Sequence, residues 1–220
     1  MKMEKNKNGL ILGLDISTKT IGIALFEDNG ESGKLKLLHH VTPKVKPQPE
    51  SKMEELFMKA DIFEKEFLNK YADVGITRVI IEEPLLRSNN VNTVATLLRF
   101  NGMVSRSVYN VLGLVPDYIS SYDSRAFAYP ELMQIRTKNK KGEPYTENEM
   151  KKKKPVLFGG YDFDVDKKMI PWEKVAELEP QITWMYTNKG TLRKENFDMS
   201  DAYTVCLAHM YKEGLWLPRK

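Results

Sequence analysis

The stretch Leu10–Glu27, LILGLDISTKTIGIALFE, decides the fold. Its apolar run Leu10-Ile11-Leu12-Gly13-Leu14 ends on one carboxylate, Asp15. A polar turn, Ser17-Thr18-Lys19-Thr20, follows, and Ile21 to Phe26 runs back as a second strand. A charge inside an otherwise buried strand is costly unless something pairs with it. A metal ion is the simplest partner for Asp15. The competing reading is that Asp15 only opens the turn, a position Asp favours because it hydrogen-bonds nearby backbone.

Outward from this hairpin, residues 1–8 read as a disordered tail. Asp28-Asn29-Gly30 signals a turn, and Lys34–Val41 alternates as a third strand with Leu35, Leu37 and His39 on one face. The front of the chain is therefore an antiparallel meander. Pro43, Pro47 and Pro49 mark an extended connection. Ser51 and Glu54 then form a capping box that opens a helix, whose stripe Met53, Leu56, Phe57, Ala60, Phe63, Phe67 and Tyr71 is core packing. Gly75 ends it.

Arg78–Ile81 is a β-branched strand that runs into Glu82-Glu83-Pro84. A strand that returns after a crossover helix lies parallel to the first, and ligands of open α/β sheets gather at the carboxyl ends of such strands. Consecutive strand residues point to opposite faces, so only one of the two glutamates shares a site with Asp15; Glu82, at the end of the buried run, is the choice. Val91–Leu112 reads as a second helix with Val91, Val94, Ala95, Leu98, Val104, Val108 and Val111 on one face and Gly102 as a point of close approach. Leu114–Ser121 reads as a fifth strand, and Ser124–Leu132 as a short helix interrupted by Pro130. Asp198-Met199-Ser200-Asp201 opens the last helix, which runs to Glu213 with Gly214 as its stop. Asp198 and Asp201, three apart, point the same way. Capping of the helix is the plain reading of that pair.

The composition sets limits. The 220 residues are 41% hydrophobic and 29% charged, enough for one sizeable core. The expected organisation is one domain over residues 9–220, with a long basic and aromatic insertion around 130–196. No apolar run is long enough for a membrane span, and the N-terminal segment is too interrupted for a secretory signal. A single cysteine, Cys206, fits a reducing compartment, so a cytoplasmic location is expected, in the host cytoplasm if the chain is viral. With only three histidines and one cysteine, a zinc site is disfavoured; any metal would be held by oxygen, as magnesium or manganese.

The net charge is +4, but the window Arg136–Lys154 alone holds eight basic and three acidic residues, a local +5. Lys138, Lys140, Lys141 and the run Lys151-Lys152-Lys153-Lys154 are therefore candidate DNA-backbone contacts, against the alternative of a solvated loop. Tyr145, Phe158 and Tyr161 lie nearby as candidate stacking groups for an opened base. Asp162, Asp164 and Asp166 lack the glycine and closing glutamate of an EF-hand loop.

Strand-Asp, strand-Glu and helical D-x-x-D together supply the carboxylates of a two-metal phosphoryl-transfer site, with cations about 4 Å apart. LGLDISTKTIGIAL, VIIEEP and DMSDAY resemble, in order, the three acidic motifs of the RuvC-like Holliday junction resolvases of the ribonuclease H-like superfamily, and SSYDSRAF resembles the segment after that family's fifth strand. The resemblance implies an α/β fold with a mixed five-stranded sheet flanked by helices. It also implies a magnesium-dependent endonuclease on branched DNA, with two Mg²⁺ ions (Mn²⁺ as a substitute), working as a homodimer paired through the helix Val91–Leu112. Asp15, Glu82, Asp198 and Asp201 would be its metal ligands and catalytic acids. Residues Pro130–Asn196 do not align with the family. Three other readings stand beside this one, the mildest being a nuclease of the same fold that acts on another substrate such as flaps or replication intermediates. The chain could be an ATP-binding domain of the sugar-kinase and actin type, for which 220 residues leave no second lobe. It could also be a non-catalytic DNA-binding protein that keeps the fold.

Overall fold

The computed structural model describes residues 9–30, 32–84 and 90–214; the expected tail at 1–8 lies outside the described residues. The hairpin of β1 (Gly9–Ile16) and β2 (Ile21–Asp28) is antiparallel, and β3 (Gly33–Val41) adds antiparallel to β2. Helix α1 (Lys52–Glu66) crosses over and delivers β4 (Ile76–Glu82) parallel to β1. Helix α2 (Val91–Leu112) then leads to β5 (Asp117–Ile119), parallel to β4. The sheet order is β3-β2-β1-β4-β5, the mixed five-stranded sheet expected.

Two apolar layers sandwich the sheet. On one face Leu12, Leu14, Ile23, Leu25, Val79 and Ile81 pack with Leu56, Phe63, Phe67, Phe100 and Val104 of the α1–α2 layer. On the other face Ile11, Ala24, Phe26 and Ile80 pack with α6 (Glu195–Lys212). Burial of each large side chain contributes about 1.5–3 kcal/mol.

Helix α6 is buried nearly all round, so its own polar groups must be satisfied locally. Ser200 donates to the Asn196 carbonyl and Thr204 to the Ser200 carbonyl, both at 2.8 Å. The helix lies close on the sheet because Gly13 and Gly22 face it: a Cβ at Gly13 would run into Ala202 and Cys206, and one at Gly22 into the Asp198 backbone.

Several local expectations need correction. A bulge between Leu25 and Phe26 leaves Lys36 unpaired in β3, so Leu35 packs on the α6 side and Leu37 on the α1–α2 side rather than on one face. In α1, Ser51 accepts from the Glu54 amide as expected, but the Glu54 carboxylate bonds the Glu50 amide instead of closing the box on Ser51. Met53 and Phe57 are exposed, and the helix ends before Phe67 and Tyr71, which stack beyond it. Along α2 the buried residues are Phe100, Asn101, Val104, Ser107 and Val108. Val91 and Leu98 are exposed, and no described atom lies near a Cβ built on Gly102. Strand β5 spans three residues, with Val115 exposed before it. Helix α3 (Ser121–Ala128) begins earlier than expected because Ser120 caps it, accepting from the Asp123 amide at 3.0 Å.

The segment after Pro130 is built differently. A two-stranded sheet pairs β6 (Met133–Gln134) with β7 (Val156–Leu157); between them lie a hairpin and the one-turn helix α4 (Glu147–Met150). Helix α5 (Met169–Leu178) packs on α6 through Ile170, Val175 and Leu178 and forms a further helical layer over that face.

Candidate active site

Strand alternation places Asp15 on the face of Ile11 and Gly13, and Glu82 on the face of Ile80; both face α6. Glu83 is exposed, its amide donating to the Ile119 carbonyl at 2.8 Å. Asp15 does not build the turn. Ser17 does, its Oγ accepting from the Thr20 amide at 3.0 Å and donating to the Thr20 carbonyl at 2.9 Å. Asp15 sits instead in the strand ladder opposite Gly22, the position where α6 begins its close approach.

From α6 come Asp198 and Asp201, one turn apart. Neither caps the helix, which has no side-chain cap. The buried hydroxyl of Thr20 donates to the Asp198 carboxylate. Asp201 Oδ1 accepts from Arg125 Nη2 of α3 at 2.9 Å, a nearly buried ion pair.

The electrostatics join the four acids into one neighbourhood. Burial drives the Asp15 carboxyl well above its ordinary range, and the charges of Glu82, Asp201 and Asp198 add to it. Glu82 is pushed up to about 8 by burial and then by Asp201, with Arg125 and Lys168 opposing. Asp198 is raised to about 6, first by burial, with Lys168 opposing and Asp201 adding. Buried carboxylates that raise one another's pKa are stabilised either by a proton or by a bound cation.

The donor set fits a hard divalent ion: oxygen ligands only, and one of them, Glu82 Oε2, buried with no hydrogen-bond partner. Among the described residues, however, no three Asp, Glu, His or Cys side chains stand close enough to grip one ion between them, and Asp201 is already held by Arg125. The acids are electrostatic neighbours but do not form a closed ligand sphere.

No protein-family model matches the chain, and no curated protein matches it in sequence. Solved structures do. RuvC of Thermus thermophilus matches with a TM-score of 0.52 and 12% identity over 93% of this chain and 95% of that one. T. thermophilus RuvC in complex with a Holliday junction substrate matches at 0.53 and 9%, over 93% and 94%. The fold is RuvC-like. A likeness to the ROK hexokinase from the same organism spans 57% of this chain and 39% of that chain, at 20% identity and a TM-score of 0.31, and carries no weight.

On this RuvC-like fold, sequence reasoning missed three residues at the acids: Arg125, Lys168 and Thr20. Arg125 was legible in part, as the one cation in SSYDSRAF just before an apolar helix end. Lys168 has no periodic signal; it stands at the start of α5, where Asp166 Oδ1 accepts from the Lys168 and Met169 amides.

The seven lysines singled out as DNA contacts lie elsewhere. Lys140 and Lys141 sit at the tip of a hairpin closed by a Lys138–Pro144 bridge, and Lys151–Lys154 follow α4. The cations that act most strongly on the acids are Arg125 and Lys168 instead. Of the candidate stacking rings, Phe158 is buried at 2% exposure and cannot meet a base, and Tyr145 is covered by Lys153, whose Nζ lies 3.6 Å from the ring centroid.

Proposed function

We propose that the chain is a structure-selective endodeoxyribonuclease that cleaves Holliday junctions or other branched DNA by two-metal-ion phosphodiester hydrolysis. The single observation behind this is the convergence of Asp15, Glu82, Asp198 and Asp201 from β1, β4 and α6 on one face of a RuvC-like sheet.

Asp15, Glu82 and Asp198 would hold divalent cations once drawn closer together than they stand here, with Asp201 joining from its Arg125 pair. A divalent ion held there, Mg²⁺ or Mn²⁺, would supply an activated water and charge stabilisation at the leaving oxygen. Thr20 fixes the Asp198 carboxylate through its hydroxyl, and the β1–β2 turn fixes Thr20. Arg125 keeps Asp201 oriented and balances charge in a site that would otherwise repel itself. Lys168 offers a positive charge to an approaching phosphate on the open side. Lys151–Lys154 and Lys138, Lys140 and Lys141 attach to the DNA backbone without reading sequence.

A homodimer suits a nearly two-fold-symmetric four-way junction. The exposed face of α2, with Leu98, Gly102 and Tyr109 in a row, is the surface that would pair. The location on this reading is intracellular, where branched DNA arises. A sugar-kinase-like ATPase has no support in the matched folds.

The test is cleavage of a labelled four-way junction, a flap and a linear duplex by the full chain in Mg²⁺ and in EDTA. Cutting of branched DNA only, and only with metal, is expected. Equal cutting of linear duplex removes the structure selectivity, and no cutting of any substrate removes the nuclease.

A further inference from the structure

A cavity of about 530 Å³ lies between the hairpin Arg136–Gly142 and the loop Gly159–Asp164, within the usual size of small-ligand sites. Its walls are fixed by specific bonds. Arg136 Nη1 and Nη2 donate to the carbonyls of Tyr161 and Phe158 at 2.8 and 2.9 Å, and the guanidinium stacks 4.0 Å from the centroid of the Phe163 ring. Asn139 Oδ1 closes the hairpin by accepting from the Lys141 and Glu143 amides. Gly159 lets the loop lie flat on β6, where a Cβ would meet the Gln134 carbonyl. The cavity is therefore formed in advance of any ligand, which lowers the cost of binding one.

The lining carries a net positive charge. Arg136, Lys138, Lys140 and Lys141 outnumber Asp162 and Asp164. None of the three lysines forms an ion pair with a described residue, and the Arg136 donors go to carbonyls, which leaves its charge uncancelled. Phe163 stays 37% exposed although Arg136 covers part of it. Free cations beside a braced aromatic ring are the chemistry that holds single-stranded nucleic acid: the cations take the phosphate and the ring takes the base, whatever its identity. Paired bases cannot offer that face.

We infer that this cavity binds one unpaired nucleotide of a DNA strand, with its phosphate on Lys138, Lys140 and Lys141 and its base against Phe163. This rests on the branched-DNA reading and narrows it: the preferred branches carry an unpaired strand, as flaps and gapped junctions do, over fully paired four-way junctions. Asp164 on the cavity wall is four residues from Lys168, the cation acting on the acids, so their Cα atoms are at most about 14 Å apart.

The test measures binding of fluorescein-labelled oligothymidylate and of a blunt duplex to the full chain in EDTA by anisotropy, for the native protein, Phe163→Ala, and the double variant Lys140→Ser/Lys141→Ser. Each variant is expected to lose at least about tenfold in affinity for oligothymidylate, the scale of one base–aromatic stack, while Phe163→Ala leaves duplex binding within about threefold. The double variant changes only an exposed hairpin tip and keeps the test valid if Phe163→Ala misfolds. Unchanged oligothymidylate binding in both variants overturns the inference, and so does an equal loss for duplex in Phe163→Ala. Cleavage of branched DNA is assayed in parallel. If the native protein cuts branches and the variants bind oligothymidylate normally, the cavity assignment fails and the nuclease reading stands. If the variants lose oligothymidylate binding but nothing is cut, the nuclease reading fails and the cavity remains a single-strand site.

Discussion

The sheet with α6 buries its charges, whereas the segment from Pro130 to Lys194 displays them, and one arginine in each region makes the contrast concrete. Arg125 is nearly buried and pairs with a carboxylate, Asp201, which is itself 9% exposed at the side chain. Arg136 also makes two short bonds, but to neutral carbonyls, and leans on an aromatic ring at the surface. The first arginine offsets the repulsion created by four converging acids. The second braces a wall and leaves its charge available. Buried charge organises a place where a cation is needed; displayed charge organises a place where an anion can land.

Truncating both arginines would separate these roles. Arg125→Ala leaves Asp201 buried and unpaired, with an expected loss of about 3–5 kcal/mol in urea unfolding, partly restored by Mg²⁺. Arg136→Ala removes two hydrogen bonds near the surface, with an expected loss of about 1–3 kcal/mol that Mg²⁺ does not restore. Equal losses, or restoration of both by Mg²⁺, would erase the distinction.

The acid cluster should also make stability depend on pH. Burial and neighbouring acids raise Asp15, Glu82 and Asp198 above their ordinary values, Glu82 to about 8 and Asp198 to about 6. Between the unfolded and folded values the native state holds protons that the unfolded chain has released. The stabilising effect is therefore complete below about pH 4 and is lost as pH rises through about 6 to 8. Unfolding midpoints in EDTA are expected to fall from about pH 5 to about pH 8.5, and Glu82→Gln should flatten the upper part of that fall. A midpoint that rises over this range would contradict the assignment of burial as the leading cause.

The smallest structural effect belongs to the exposed lysines. Replacing Lys151 to Lys154 with serine should cost no more than about 1 kcal/mol of unfolding free energy, the part beyond a plain surface change coming from the lost Lys153–Tyr145 contact. It should reduce the salt dependence of DNA binding by about one unit of log–log slope for each phosphate that is no longer neutralised. An unchanged slope returns the run to an ordinary solvated loop.

Legibility from the sequence follows the same division. Where a strand is buried on both faces, as in Leu10–Leu14 and Arg78–Ile81, the unbroken apolar or β-branched run marked it, and the crossover helix between the two runs gave their parallel order. Glu82 was legible beside Asp15 because it directly ends the second buried run, and Glu83, pointing the other way, is exposed. The bulge at Lys36 was not, since nothing in an alternating strand marks where an extra residue enters. Arg125 and Lys168 escaped because their placement depends on α3 and α5 packing beside α6, a meeting of distant parts of the chain with no local pattern. After Pro130, hydrogen-bonded turns and two-residue strands replace periodic elements, so the cavity walls, and the burial of Phe158 among them, became visible only in three dimensions.

Cation uptake by the four acids is tested most directly by Mn²⁺ titration of the full chain at about pH 8, following free Mn²⁺ by electron paramagnetic resonance, with the native protein beside Asp15→Asn. The native chain is expected to take up Mn²⁺, and Asp15→Asn to bind at least about tenfold more weakly, since losing a ligand costs no less than losing an outer-shell partner of one. Undiminished uptake by Asp15→Asn, or no uptake by the native chain, would contradict a shared cation site at Asp15, Glu82, Asp198 and Asp201.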